Sequence, residues 1–291
     1  MRVLLAVLLI ALSVLEAGLL LRPSAEPSPR PRVTLDAERV FVPFEPSSAA
    51  RRRPTVAVRI DGHGPFSFLV DTGAAGHGRI DLRLALRLEL ERIGTARLGD
   101  GTGRRVDASV VRIEMLSTRG ARFVGAQLAV MDLERNGVDG ILGFGLFDAL
   151  GLTLDGPAGG VWLARDGGVD SGSALEVRGG VPWVELAIGG RHKSALIDSG
   201  AAVGVLLPPT WRDPRRSIDG AAFILRTAGR ALDARRTTLR DGVRLGGVQL
   251  DGPSTAWVRG LDRPVIGWQV LRHLRVMFPP DRRAVTIRPA R

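Results

Sequence analysis

Two aspartates stand at the ends of apolar runs in the same local setting. Asp71 closes the run in FSFLVDTGAAG (residues 66–76) and Asp198 closes the run in KSALIDSGAAVG (residues 193–204). Each is followed by a hydroxyl residue and a glycine, Thr72-Gly73 and Ser199-Gly200. One such triplet is ordinary turn chemistry, because Asp and Gly are favoured wherever a strand reverses. Two that meet in space are a different object. Carboxyls within hydrogen-bonding distance cannot both ionise cheaply, so the pair holds one shared proton over a wide pH range. The ionised partner can then take a proton from a bound water while the protonated one polarises a carbonyl. That is hydrolytic chemistry from Asp71 and Asp198 with no metal and no cofactor. Thr72, Gly73, Ser199 and Gly200 then support the two loops: the hydroxyls bond across the junction, and the glycines let backbone N–H groups face the carboxylates.

The surrounding sequence repeats as well. RPTVAVRIDGHGPFSFLVDTG and GVPWVELAIGGRHKSALIDSG each read as strand, Gly-bearing turn and apolar strand ending at aspartate. Pro54 precedes Asp71 by 71 − 54 = 17 residues, and Pro182 precedes Asp198 by 198 − 182 = 16. Further along, two apolar residues and a glycine recur, Ile141-Leu142-Gly143 and Val265-Ile266-Gly267, at 143 − 71 = 72 and 267 − 198 = 69 residues from the aspartates. Both are followed by a short helix-like segment and a closing strand, from Val161 and from Ala284. The triplet Asp170-Ser171-Gly172 has neither neighbour and reads as a linker. Between the paired motifs each half carries a Gly-bearing turn, Gly101-Thr102-Gly103 and Ala228-Gly229, which is either an ordinary hairpin tip or a flap that closes over a ligand.

The quoted motifs FLVDTGA with ILG and ALIDSGA with VIG resemble the pepsin and retropepsin-like aspartic proteases, in a bacterial single-chain form with two retropepsin-like lobes. The resemblance spans roughly residues 40 to 290. It implies an all-β protein of two pseudo-twofold-related β-barrel lobes with the site at their interface. It also implies catalytic roles for Asp71 and Asp198, a cross-lobe grip by Thr72 and Ser199, and a ψ-loop core at Ile141, Leu142, Gly143, Val265, Ile266 and Gly267. RVFVPFE (residues 39–45) fits the strand that precedes the first lobe. The chain departs from the pepsin pattern in having no tyrosine for a flap. His77 occupies a stretch that is usually small or hydroxylic and apolar, and reads as a surface residue in preference to a pH-sensitive neighbour of the site. The polar run RDPRRSIDGAA (residues 212–222) reads as loop.

The expected organisation is an N-terminal signal peptide or membrane anchor at 1–21 and a Pro-rich linker at 22–38. An N-terminal lobe at 39–166, an inter-lobe linker at 167–179 and a C-terminal lobe at 180–291 follow. Residues Val3 to Leu21 are broken only by Ser13, Glu16 and Gly18 before a proline-rich stretch, which places the protein outside the cytoplasm, free or tethered. The absence of cysteine excludes disulfides, thiolate nucleophiles and Cys-ligated zinc. A formal charge of +11 invites a nucleic-acid reading. However, Arg51 to Arg53 is the only basic triple, Lys193 the only lysine, and no tyrosine offers a stacking platform. His63, His77, His192 and His273 lack metal-ligand spacing, and neither Gly-x-Ser-x-Gly nor His-Glu-x-x-His occurs. The expected partner is a peptide or protein substrate, not nucleic acid, and the expected state is a monomer. The competing reading is a non-catalytic, two-lobed peptide-binding or scaffolding protein of the cell envelope.

Overall fold

The computed structural model describes residues 29–46, 53–99, 105–134, 137–166, 172–226 and 231–289. The chain opens with β1 (Arg32–Leu35) and β2 (Arg39–Pro43). The first repeat follows as β3 (Thr55–Ile60), β4 (His63–Asp71), β5 (Gly78–Asp81), β6 (Arg92–Gly99), β7 (Arg105–Thr118), β8 (Ala121–Met131) and β9 (Gly140–Gly143). Side chains alternate as a half-buried strand requires: Val56, Val58 and Ile60 point inward while Ala57 and Arg59 are exposed. Pairing runs from β8 to β5, β9, β4, β3 and β7, and β7 returns to β8. These six strands therefore close into a barrel, which leaves none of them with a bare edge. The helix Leu82–Arg87 is capped by Asp81, whose Oδ1 accepts the Arg83 N–H at 2.9 Å.

After β10 (Gly151–Asp155), β11 (Gly160–Ala164) and β12 (Ser173–Arg178) the pattern recurs. The second repeat is β13 (Val181–Ile188), β14 (Arg191–Asp198), β15 (Val205–Leu207), β16 (Ser217–Arg226), β17 (Ala231–Leu239), β18 (Val243–Leu245), β19 (Val248–Leu250), β20 (Thr255–Val258) and β21 (Val265–Gly267). As β4 pairs in parallel with β9, so β14 pairs with β21; as β5 lies between β9 and β8, so β15 lies between β21 and β20. The long β7 is represented by β17 and β18, and β8 by β19 and β20. The helix of the first lobe is reduced to a 3₁₀ turn, Pro209–Trp211.

The one-residue difference between the two opening hairpins has a specific place. Both turns are two residues long, Asp61-Gly62 and Gly189-Gly190, and all four residues have positive φ. The register of β13 on β14 is unbroken, whereas that of β3 on β4 shifts. The additional residue lies in β4, between His63 and Phe66.

The two repeats are joined by a sheet running β2-β11-β10-β22-β23-β12, where β22 is Leu274–Phe278 and β23 is Ala284–Pro289. Its centre is the antiparallel pair β10–β22, and the order on one side mirrors the order on the other. Phe144 and Phe278 pack edge to face across this junction with centroids 5.1 Å apart. One hydrophobic cluster runs through both halves, from Val56 and Phe68 to Ile266 and Val276.

Two boundaries expected from composition shift. Residues 32–35, within the expected linker 22–38, form β1 and pair with β8. Residues 173–178, within the expected inter-lobe linker, form β12 and pair with β13 and β23. In both cases backbone pairing with a neighbouring strand overrides a polar, proline- or glycine-flanked composition. The polar run expected as loop at 212–222 likewise enters β16 at Ser217, with its irregularity confined to Asp219–Ala222. No helix among the described residues is long and apolar enough to cross a membrane, and residues 1–28 lie outside them.

Candidate active site

Each aspartate is the last residue of a strand held between two others. In the first lobe Leu69, Val70 and Asp71 pair with Ile141, Leu142 and Gly143. In the second, Leu196, Ile197 and Asp198 pair with Val265, Ile266 and Gly267. The loop that follows is tied down in the same way on both sides. The N–H groups of Gly143, Phe144 and Gly145 donate to the carbonyls of His77, Ala74 and Gly76, at 2.9, 2.9 and 3.0 Å. Those of Gly267, Trp268 and Gln269 donate to Gly204, Ala201 and Val203, at 2.8, 2.7 and 2.9 Å. Counted from the aspartate, the acceptors are the same positions in both lobes. A side chain at Gly143 would sit 2.5 Å from the Gly76 oxygen and 2.8 Å from that of Ala74, and one at Gly267 would meet the Ala201 oxygen at 2.7 Å. The apolar-apolar-glycine signature therefore ends in glycine because the loop carbonyls press on its Cα.

The two loops meet through Thr72 and Ser199, both fully buried. Thr72 Oγ1 donates to the Ile197 carbonyl at 2.7 Å and accepts the Ser199 N–H at 3.1 Å. Ser199 Oγ donates to the Val70 carbonyl at 2.8 Å and accepts the Thr72 N–H at 3.0 Å. Four hydrogen bonds thus cross between the lobes, each hydroxyl used once as donor and once as acceptor.

This junction brings Asp71 and Asp198 into hydrogen-bonding contact with each other. Gly73 lies against the opposite carboxyl: a Cβ there would be 2.5 Å from Asp198 Cγ, and one at Gly200 would overlap the carboxyl of Asp71. The glycines are required by this approach of the other lobe's acid, and neither has a positive φ. The Gly73 N–H donates to Asp71 Oδ1 at 2.8 Å, and the Ala201 N–H to Asp198 Oδ1 at 2.9 Å.

The pair is electrostatically unequal. Burial pushes the Asp198 carboxyl well above the usual carboxylate range, and the negative charge of Asp71 pushes it further in the same direction. Burial raises Asp71 as well. There, however, the hydrogen bond from Asp198, the N–H groups of Gly73 and Ala74 and the positive charge of Arg79 favour the ionised form. Both carboxyls are thus pushed upward and the pair holds one proton between them, with the added push of a neighbouring negative charge falling on Asp198. Arg53, half-buried, adds a second positive charge that acts on Asp71. Neither arginine is assigned a role at the site by its sequence setting, since Arg79 on β5 is brought to the acid on β4 across the intervening β9 and Arg53 by the turn into β3.

The other expected residues are placed as follows. Ile141, Leu142, Val265 and Ile266 flank the aspartates on the strands described above. Gly101, Thr102, Gly103, Ala228 and Gly229 lie outside the described residues. The strands on either side of them, β6 with β7 and β16 with β17, pair as hairpins in both lobes. His77 is the correction: it is buried, not a surface residue, and its Nδ1 accepts the Gln127 N–H at 3.0 Å. His63 and His192 are exposed on their hairpins.

Residues 56–146 match the family model of the aspartyl proteases. The matched segment begins in β3 and ends just beyond Gly143, so it contains Asp71 and the whole closed barrel apart from its first residue. A search of curated proteins found no match.

Proposed function

We propose that this protein is an aspartic endopeptidase that cleaves peptide bonds with a water held between Asp71 and Asp198. The reading rests on one observation above all, the approach of two buried carboxyls from opposite lobes, each against the other lobe's Asp-x-Gly loop. The aspartyl protease match over residues 56–146 supports it independently.

In the forward reaction Asp71 takes a proton from the water as its oxygen bonds to the substrate carbonyl carbon, and the Asp198 proton passes to the carbonyl oxygen. The resulting gem-diol collapses as Asp71 returns its proton to the amide nitrogen, the C–N bond breaks, and a diol hydroxyl reprotonates Asp198. The two acids end as they began. The Thr72–Ser199 bonds keep the carboxyls in register, because geometry held to a few tenths of an ångström is what converts a bound water into a nucleophile. The hairpins β6–β7 and β16–β17 are the elements that would cover the peptide.

We also place this activity outside the cytoplasm, free or held to a membrane by residues 1–21, on the strength of the apolar run that opens the chain. The protein acts as a monomer, since both acids come from one chain.

The test is peptide cleavage by the full chain between acidic and neutral pH, alongside Asp71→Asn and Asp198→Asn. Both variants are expected to lose activity by at least about 10³-fold, and a statine-type transition-state mimic to inhibit the wild type. Full activity in either variant would remove the mechanism.

A further inference from the structure

The loops that follow the two aspartates are clamped at the same carbonyl by different groups. Ala75 stands 75 − 71 = 4 residues past Asp71, and its carbonyl accepts Arg79 Nη1 at 3.0 Å. The same nitrogen donates to the Gly78 carbonyl at 2.9 Å. Ala202 stands 202 − 198 = 4 residues past Asp198, and its carbonyl accepts Gln269 Nε2 at 3.3 Å. One clamp is a cation on β5, the other a neutral amide on the short helix Trp268–Leu271. Arg79 pairs with Ile141 as Leu206 pairs with Val265, so the two are the same position in the two repeats. Leu206 is buried in an apolar cluster with Ala234, Ala256 and Val265 and clamps nothing.

The strand register sets this cation beside the acid. Arg79 pairs with Ile141, and Ile141 with Leu69, two residues before Asp71. Cross-strand partners share a face, as do residues two apart on one strand. Arg79 and Asp71 therefore lie on one face with β9 between them. The rest of that face is apolar, since Leu69 and Ile141 cluster there with Leu133 and Val138. Among apolar side chains a charge acts more strongly than it does in water, and the guanidinium is mostly buried and fixed through Nη1. The positive charge of Arg79 favours ionised Asp71, and Asp71 offsets the cost of burying Arg79. Arg53, at the turn into β3, also acts on Asp71. His77, on the same loop, is kept neutral by burial, and Glu45, after β2, accepts the Ser67 hydroxyl. The groups acting on Asp198 are Asp71 and the N–H groups of Gly200 and Ala201.

We propose that Arg79 is a positioning residue of the hydrolytic site: it clamps the Asp71 loop as Gln269 clamps the Asp198 loop, and its charge sets the pH range over which the acid pair carries a single negative charge. The inference rests on the peptidase reading, because the singly charged pair is the form that activates water. A guanidinium stays protonated throughout that range. Removing it makes each successive ionisation of the pair harder, so both limbs of the activity bell move to higher pH. A residue that only shaped the loop would lower the bell without moving it.

The test measures kcat/KM for one peptide between about pH 3 and 8 in the full-length wild type and in Arg79→Gln, Arg79→Lys and Arg79→Leu. The pair itself is followed by carbon-13 NMR of the aspartate carboxyls in the wild type and Arg79→Gln. Arg79→Gln, which carries the neutral donor of the second repeat, is expected to lose about tenfold on the acid limb and to gain on the alkaline limb. Its carboxyl titration should move upward with the bell. Arg79→Lys keeps the charge and should leave the bell in place at reduced height, whereas Arg79→Leu should both move and lower it. Melting temperatures identify a variant that fails to fold, and the lysine and glutamine variants then carry the comparison. A bell lowered but unmoved in Arg79→Gln, with the carboxyl titration also unmoved, would overturn the inference and leave the peptidase standing. A displaced titration in a chain that cleaves no peptide would sustain the action of Arg79 on the pair and remove the peptidase.

Discussion

Thr72 and Ser199 hold one another from opposite lobes, each donating its hydroxyl proton to a carbonyl two residues before the other, within the strand that leads to it, and each accepting the other's backbone N–H. The arrangement uses no charge and excludes water, so its strength comes from complete satisfaction of buried polar groups. Thr72→Ala would leave the Ser199 N–H and the Ile197 carbonyl without those partners. It is expected to cost about 2–4 kcal/mol, two unmet groups at 1–3 each partly relieved by relaxation. Ser199→Ala should cost a similar amount, and the double variant less than the sum, since both singles break one network. Urea unfolding of the four proteins measures this directly. Thr72→Ser, which keeps the hydroxyl, should lie near the wild type.

The unequal carboxyl pair predicts a stability effect of opposite sign. Asp198 binds its proton more tightly folded than unfolded, so the stabilisation it contributes is complete below the ordinary aspartate range near pH 4 and is lost as pH rises through its elevated folded value. At neutral pH a wild-type chain therefore carries a penalty that Asp198→Asn removes. The variant should melt above the wild type at pH 7, with the difference closing as the pH approaches 4, while its hydrolytic activity is lost. Calorimetric melting across that range checks it. A variant less stable than the wild type at pH 7 would contradict the raised Asp198 carboxyl.

His77 supplies a pH dependence of the other hand. Burial lowers its affinity for a proton, and its Nδ1 is already committed as the acceptor of the Gln127 N–H. The unfolded chain binds a proton near pH 6.5 where the folded chain resists it, so stability is held above that pH and declines below it. His77→Asn places an oxygen where Nδ1 stands and cannot titrate. It should flatten the fall in melting temperature between pH 7 and 5, whereas His77→Ala should cost about 1–3 kcal/mol at pH 7 by stranding the Gln127 N–H.

What the sequence made legible about this molecule is what local chemistry dictates. Asp71 and Asp198 could be paired because glycine is forced at Gly73, Gly143, Gly200 and Gly267 by contacts that recur in both lobes, and forced residues leave equal spacings. What escaped is set by neighbours distant in the chain. The burial of His77 depends on β8, whose Gln127 N–H, 50 residues along the chain, it accepts. The division of β7 and β8 into pairs of shorter strands in the second lobe follows breaks at residues 240–242 and 251–254, which composition does not distinguish from hairpin tips. β1 and β12 read as linker because four to six residues with little alternation become strands only when a partner edge is offered. The asymmetry of Arg79 against Leu206 required the strand register, because in the sequence the two positions differ no more than many others.

The last prediction concerns the bond between the halves. Asp155, at the end of β10, is fully buried, and its Oδ2 accepts from Arg275 Nη2 on β22 at 2.7 Å and from Trp162 Nε1 at 3.3 Å. β10 and β22 are the central pair of the joining sheet, so this ion pair sits where the lobes are stitched together. Arg275 is about half exposed, while Asp155 is not exposed at all. Removing the arginine leaves a buried carboxylate uncompensated, whereas removing the aspartate leaves a cation that can turn to water. Arg275→Ala should therefore destabilise by about 3 kcal/mol, the low end for breaking a buried pair, and Asp155→Ala by less than the burial of Asp155 alone would suggest. If the pair governs docking rather than either repeat alone, Arg275→Ala should also broaden urea unfolding or split it into two steps, because the joining sheet would loosen before the closed first barrel does. Intrinsic tryptophan fluorescence reads that split, since Trp162 stands beside Asp155 while Trp257 reports on the sheet of the second repeat. A single sharp transition with unchanged midpoint would show that the lobes are joined by packing and backbone pairing alone.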